Sequence, residues 1–132
     1  MSSLVIFSKN VSRMAAFYEA ILDAKPRVEP SGDVRLISER DEVLIHSIPK
    51  KIARTVEIST PPEARDGFPL KPIFDVGALG AVLDVVPTAG GVVTAFQFTA
   101  DGLTRHDVLD PDGNVIQLRG RVSSSPGAGS QG

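Results

Sequence analysis

The side chains that most often carry chemistry are few in this chain. Its 132 residues include no cysteine and only two histidines, His46 and His106. Disulfides, thiolate metal sites and a cysteine nucleophile are therefore excluded. A Ser-His-acid triad is defined by the roles its members take in space, and neither histidine stands in a motif that nominates a nucleophile. Both histidines fall in strand patterns, where an imidazole satisfied by its neighbours is the ordinary case. Gly90-Gly91 lacks the Lys-Ser/Thr that completes a phosphate-binding loop. Lys and Arg number 14 against 16 Asp and Glu, with no Trp and one Tyr. That balance supplies neither the basic face nor the stacking aromatics of a nucleic-acid binder. No apolar run approaches the roughly 18–20 residues of a membrane span. Met1-Ser2-Ser3-Leu4-Val5-Ile6-Phe7 enters a strand pattern without a basic leader, so no signal peptide is expected. The expectation is a cytoplasmic protein with neither nucleic acid nor membrane as a partner.

The elements that must position any site follow from periodicity. Hydrophobic residues make up 42% of the chain, enough for one globular domain. Leu4–Phe7 reads as a strand. Met14, Phe17, Tyr18, Ile21 and Leu22 then recur at helical spacing, with Asn10 as N-cap. After Pro26, the turn residues Ser31-Gly32-Asp33 precede two strands, Val34–Ser38 and Val43–Ser47, joined by Glu39-Arg40-Asp41-Glu42. A proline-rich stretch, residues 59–70, reads as a linker. Pro72–Val76 is a strand, Leu79, Val82, Leu83 and Val86 mark a short helix ended by Pro87, and Val92–Thr99, Arg105–Leu109 and Asn114–Arg119 are three further strands. Asp110-Pro111-Asp112-Gly113 is a strong turn between the last two. Residues 122–132 read as a disordered tail.

The order strand–helix–strand–strand–strand thus occurs twice. Setting Ser3 against Lys71 aligns the opening strands and helix stripes at an offset of about 68, and Val43-Leu44-Ile45-His46 aligns with Val115-Ile116-Gln117-Leu118 at an offset of about 72.

Three pieces of this pattern carry a family likeness: Asp110-Pro111-Asp112-Gly113-Asn114-Val115-Ile116-Gln117-Leu118, Leu4–Phe7 followed by Phe17-Tyr18-Glu19-Ala20-Ile21-Leu22, and Pro72–Val76 leading to Gly90-Gly91. With these the chain resembles the vicinal oxygen chelate superfamily of glyoxalase I, bleomycin-resistance proteins and extradiol dioxygenases. The resemblance implies an α+β fold of paired βαβββ modules, an eight-stranded cup-shaped sheet with helices outside. It spans one domain, residues 1–121, with module one at about 3–58 and module two at about 71–121. It also implies a divalent metal held by the first and last strands of each module, with His and Glu as typical ligands.

At those positions this chain carries Ser3, Lys71, Gln117 and Ile45, with His46 as the alternative to Ile45 if the register differs by one. Zinc, nickel and iron want imidazole, carboxylate or thiolate, so no metal and no other cofactor is expected. Alternation along each strand then lines the cup with Ser3, Val5, Phe7, Lys71, Ile73, Val115, Gln117 and Arg119, beside Ile45 or His46. Such a cup is mostly apolar with a few polar groups, the character of a small-molecule site. Lys71 and Arg119 suggest an apolar ligand bearing an acidic group. The expected function is metal-free binding of a small molecule, of the resistance or sequestration kind, by a homodimer. The alternative is a lyase, isomerase or dioxygenase that uses a divalent metal or a Lys/His pair. For that, Lys71 would have to lie buried against apolar walls, which lowers an amine's pKa.

Overall fold

The computed structural model describes residues 2–48, 61–64 and 70–122. The elements run β1 (Ser2–Ser8), α1 (Val11–Leu22), β2 (Lys25–Val28), β3 (Val34–Ile37), β4 (Asp41–Ser47), β5 (Ile73–Ala78), α2 (Leu79–Thr88), β6 (Val92–Ala100), β7 (Leu103–Leu109) and β8 (Val115–Arg121). The strands form two four-stranded sheets, β1-β4-β3-β2 and β5-β8-β7-β6. In each, the opening strand lies parallel to the last and the remaining pairs are antiparallel. This is the βαβββ module made twice, in an α+β fold. Hydrogen bonding keeps the eight strands in two separate sheets. The tail beyond Val122 and most of the proline-rich stretch 59–70 lie outside the described residues.

Local chemistry accounts for the elements. Asn10 Oδ1 accepts from Arg13 N–H at 3.1 Å and caps α1, and Asp23 closes the helix in the left-handed region. Pro87 lies in the last turn of α2, and Thr88 ends it. Strand β2 escapes the sequence reading because all four of its residues are exposed and it contains Pro26. It is an edge strand, where a missing N–H is tolerated.

One core joins the modules. Met14, Phe17 and Tyr18 on α1 are fully buried, and α1 packs on β3 and β4 while also touching α2 and β5. The Tyr18 ring lies 5.1 Å from Phe17 and 6.0 Å from Phe74 of module two. Burial of each such side chain contributes roughly 1.5–3 kcal/mol. The Tyr18 hydroxyl donates to Asp110 Oδ2 at 2.6 Å, and Arg13 Nη2 donates to Pro111 O at 3.1 Å. The turn after β7 is thereby fastened to the helix of the other module. Its Gly113 takes φ 86°, which glycine adopts without a Cβ penalty.

Candidate functional site

Each sheet turns one face to the core; among the described residues the other face is exposed or half-buried on the first sheet, whereas on the second Asp107 and Gln117 are buried at its middle. On β1 the open face carries Ser3, Val5 and Phe7, and β4 pairs them in register with Glu42, Leu44 and His46. Val5 is 50% and Phe7 57% exposed, unusual for large apolar side chains. The opposite face of β4 carries Val43 and Ile45, both fully buried. Ile45 therefore belongs to the core and not to the open face, which corrects its expected place. Val5 pairs with Leu44 where its counterpart Ile73 pairs with Gln117. The true offset at the closing strands is thus 73, one more than the sequence alignment gave, by 117 − 44. A slip of one residue moves every side chain to the other face. Leu44 is the counterpart of Gln117, and His46 lies on the same face beside Phe7.

On the second sheet, Ile73, Val115, Gln117 and Arg119 occupy the open face as expected, joined by Asp75, Arg105, Asp107 and Phe98 through their cross-strand pairs. Lys71, just before β5, donates to Asp107 Oδ2 at 2.8 Å. Gln117 Nε2 donates to Asp107 Oδ1 at 3.1 Å. Arg119 grips Asp75 with two hydrogen bonds, at 2.6 and 3.0 Å, and Arg119 foremost holds the Asp75 carboxyl below the usual carboxylate range. Lys71 and Arg105 lie over the rings of Phe96 and Phe98, 5.1 and 5.5 Å from the ring centroids.

Both cations that suggested an acidic ligand are therefore neutralised within the chain. The Lys71 side chain is also 40% exposed and salt-bridged, which is the opposite of the apolar burial an amine base requires.

A cleft of about 310 Å³ runs along the free edge of β1, bounded by Leu4–Phe7 on one side and by Leu70, Pro72 and Asn114–Ile116 on the other. It brings together Val5, Phe7 and Val115 of the expected set. Ser3 stands at the far end of the same face, where its hydroxyl donates to Glu42 Oε1 at 3.0 Å. Glu42 also pairs with Arg35, and that bond, followed by the one from Ser3, keeps its carboxyl below the usual range. The face of the first sheet thus grades from a charged end at Ser3 and Glu42 to an apolar end at Phe7. A larger depression, of about 590 Å³, lies among Asp23, Lys25, Glu39, Arg40, Asp41 and Asp75 near the β3–β4 turn. None of the expected site residues lines it.

The sequence reading missed Leu44, Asp33, Asp107, Phe96 and Phe98. The two phenylalanines were legible, since they alternate within a strand that was expected there. Asp33 was read only as a turn residue, and its carboxylate is in fact shared between His46 and the Ser47 N–H. Nothing local in the sequence signals that contact.

Solved structures match this arrangement over nearly the whole chain. One is a glyoxalase/bleomycin resistance protein/dioxygenase family enzyme from Burkholderia phytofirmans PsJN, 17% identical, covering 91% of this chain and 97% of that one at a TM-score of 0.68. Another is a glyoxalase/bleomycin resistance protein from Albidiferax ferrireducens T118, 18% identical, covering 92% and 98% at 0.65. A third is the fosfomycin resistance protein FosX from Listeria monocytogenes, 12% identical, covering 91% of each chain at 0.65. The chain has the vicinal oxygen chelate fold. No protein-family model and no curated protein matches the sequence.

The donor set does not fit the divalent metal that the vicinal oxygen chelate fold commonly holds. The positions where the resemblance places ligands carry Ser3, Leu44, Lys71 and Gln117; Lys71 directs its ammonium and Gln117 its amide N–H at Asp107. An ammonium group and an alkyl side chain cannot ligate a cation, and the neutral oxygens left on Ser3 and Gln117 supply none of the imidazole, carboxylate or thiolate that zinc, nickel or iron takes. Among the described residues, no three His, Asp or Glu side chains converge on a common point. No helix there is long and apolar enough to cross a membrane.

Proposed function

We propose that this protein binds a small, largely apolar molecule along the open face of β1 and β4, without a metal, as a sequestration or resistance protein would. The observation that carries the reading is the pair Val5 and Phe7. Both are half exposed on a sheet face, beside a cleft of a size suited to a small ligand. Lys71 and Arg119 are paired with Asp107 and Asp75, so the ligand needs no acidic group. Ile73, Phe96 and Phe98 expose further apolar area on the second sheet. That area supports a twofold homodimer in which open faces of two copies close over the ligand.

The test is a titration with N-phenyl-1-naphthylamine, a neutral apolar dye that fluoresces in dry surroundings. Enhancement is expected with the wild-type chain and should fall at least fivefold in Phe7→Ser, whose exposed position leaves the fold intact. Equal enhancement by both proteins would remove β1 as the site.

A further inference from the structure

Among the described residues, the apolar end of the open face carries His46, with Asp33 bonded to it. His46 lies beside Phe7, with ring centroids 5.1 Å apart and planes at 59°. Its Nδ1 is bonded to Asp33 Oδ2. The other carboxylate oxygen, Oδ1, accepts the Ser47 N–H at 3.1 Å. Asp33 is buried and the His46 side chain is 43% exposed, so the carboxylate lies beneath and the imidazole projects outward. Burial works to raise the Asp33 carboxyl, but the hydrogen bonds from Ser47 and His46 prevail and hold it below the usual range. An ionised carboxylate only accepts, so Nδ1 must carry the proton. In the neutral ring this leaves Nε2 as a bare acceptor, and among the described residues nothing occupies it.

We infer that His46 Nε2, oriented by Asp33, is the group that selects the ligand: a flat apolar ring bearing a neutral hydrogen-bond donor, an N–H or O–H, whose ring lies against Phe7 and Val5 and whose donor meets Nε2. The inference rests on the binding reading above and gives it a chemical class. Three features converge on it. His46 stands across from Phe7 and two residues from Leu44, and Arg35, across from Leu44, is turned to Glu42 and Glu29, so a ligand lying against the two apolar side chains gives up water and its donor needs a partner. The fixed tautomer offers an acceptor and rejects a second acceptor. The Asp33 charge below disfavours an anion, in keeping with the internal pairing of Lys71 and Arg119. His46 is thus the binding residue and Asp33 a positioning residue.

Indole and 1-methylindole test this, since they differ by one N–H. Binding is read from amide and side-chain NMR shifts of Val5, Phe7 and Leu44. Indole should bind about fivefold more tightly, the size of one net hydrogen bond, although the methyl adds apolar area to its rival. Asp33→Asn keeps an oxygen for the Ser47 N–H but presents an amide donor to Nδ1, which drives the imidazole proton onto Nε2. The indole preference should vanish, and the ring 15N shifts of His46 should exchange their protonated and bare signatures, which a purely structural role for Asp33 would not produce. His46→Phe, which keeps a ring beside Phe7, should bind both compounds equally. Equal binding by the wild type, or a preference that survives either substitution, would overturn the inference and leave the binding face standing. If neither compound shifts Val5, Phe7 or Leu44, the binding reading and the inference fall together.

Discussion

Replacing Tyr18 with Phe removes one oxygen from the join between the modules. The ring contacts to Phe17 and Phe74 remain, so the hydrogen bond to Asp110 is what is lost. Both residues are fully buried. Asp110 is not stranded by the change. Asn114 Nδ2 still donates to Oδ2 at 2.8 Å, and the Asp112 and Asn114 N–H groups still donate to Oδ1 at 2.9 Å. A buried hydrogen bond to a charged group contributes about 1.5–3 kcal/mol, and the surviving bonds place this loss near the lower part, about 2 kcal/mol. At roughly 4 °C per kcal/mol for a chain of this size, the midpoint of thermal unfolding should fall by about 8 °C. Circular dichroism in a thermal ramp and in urea reads both quantities.

An alkaline arm makes the test sharper. Burial foremost, then the Asp110 charge, pushes the Tyr18 phenol well above its ordinary value. The unfolded chain releases that proton near pH 10 and the native chain keeps it. The native state then binds more protons, so wild-type stability falls as pH rises beyond about 10. Tyr18→Phe should lose this part of the decline. A destabilisation below about 0.5 kcal/mol with an unchanged alkaline slope, or wild-type unfolding in two separate steps, would refute the idea that this bond joins the modules into one cooperative unit.

Four further outcomes follow from the same geometry. Gly120→Ala would set a Cβ 2.6 Å from the Gly77 carbonyl oxygen, so the β5–β8 ladder must shift and stability should drop by about 1–3 kcal/mol in urea unfolding. Lys71→Met removes the cation from Asp107, but Lys71 is part exposed and solvent screens the pair; about 1 kcal/mol should be lost in denaturation, while calorimetry with aromatic acids such as benzoate should show no weakening. Asp33, Glu42 and Asp75 titrate below their ordinary values, so the stability they confer is present above the unfolded pKa values and should fade as pH drops through the lower folded ones, visible as a falling thermal midpoint below about pH 4. Sedimentation equilibrium at tens of micromolar, an order-of-magnitude range for specific association, should show a dimer, and a monomer throughout would remove the twofold assembly.

The sequence laid out the modules because their signals are local. The α1 stripe of Met14, Phe17, Tyr18 and Ile21, its Asn10 cap and the Asp110–Gly113 turn each declare themselves within a few residues, and all are in place. Strand β2 was hidden because exposed residues and a proline leave no alternation to read. The site was harder for a different reason. Which face of β4 is open depends on its register against β1, set by pairing across 39 residues from Ser3 to Glu42. An error of one residue in the loop length therefore put Ile45 where Leu44 belongs, while His46, the alternative to Ile45, does lie on the open face. The partners of Lys71 and Arg119 were likewise invisible. Asp107 and Asp75 reach them only through the β7–β8 and β5–β8 ladders. The acidic-ligand expectation arose from counting charges along single strands, whereas the sheet pairs them across neighbouring ones.

The central claim is that the open face binds an apolar molecule with no metal in the site. The most direct measurement is a titration of N-phenyl-1-naphthylamine against protein of known metal content, once in excess EDTA and once with equimolar zinc or manganese. Protein as purified should hold less than about one divalent ion per ten chains, and the dye affinity should be the same in both buffers. One tightly held ion per chain, or binding that appears only when the metal is supplied, would contradict the claim.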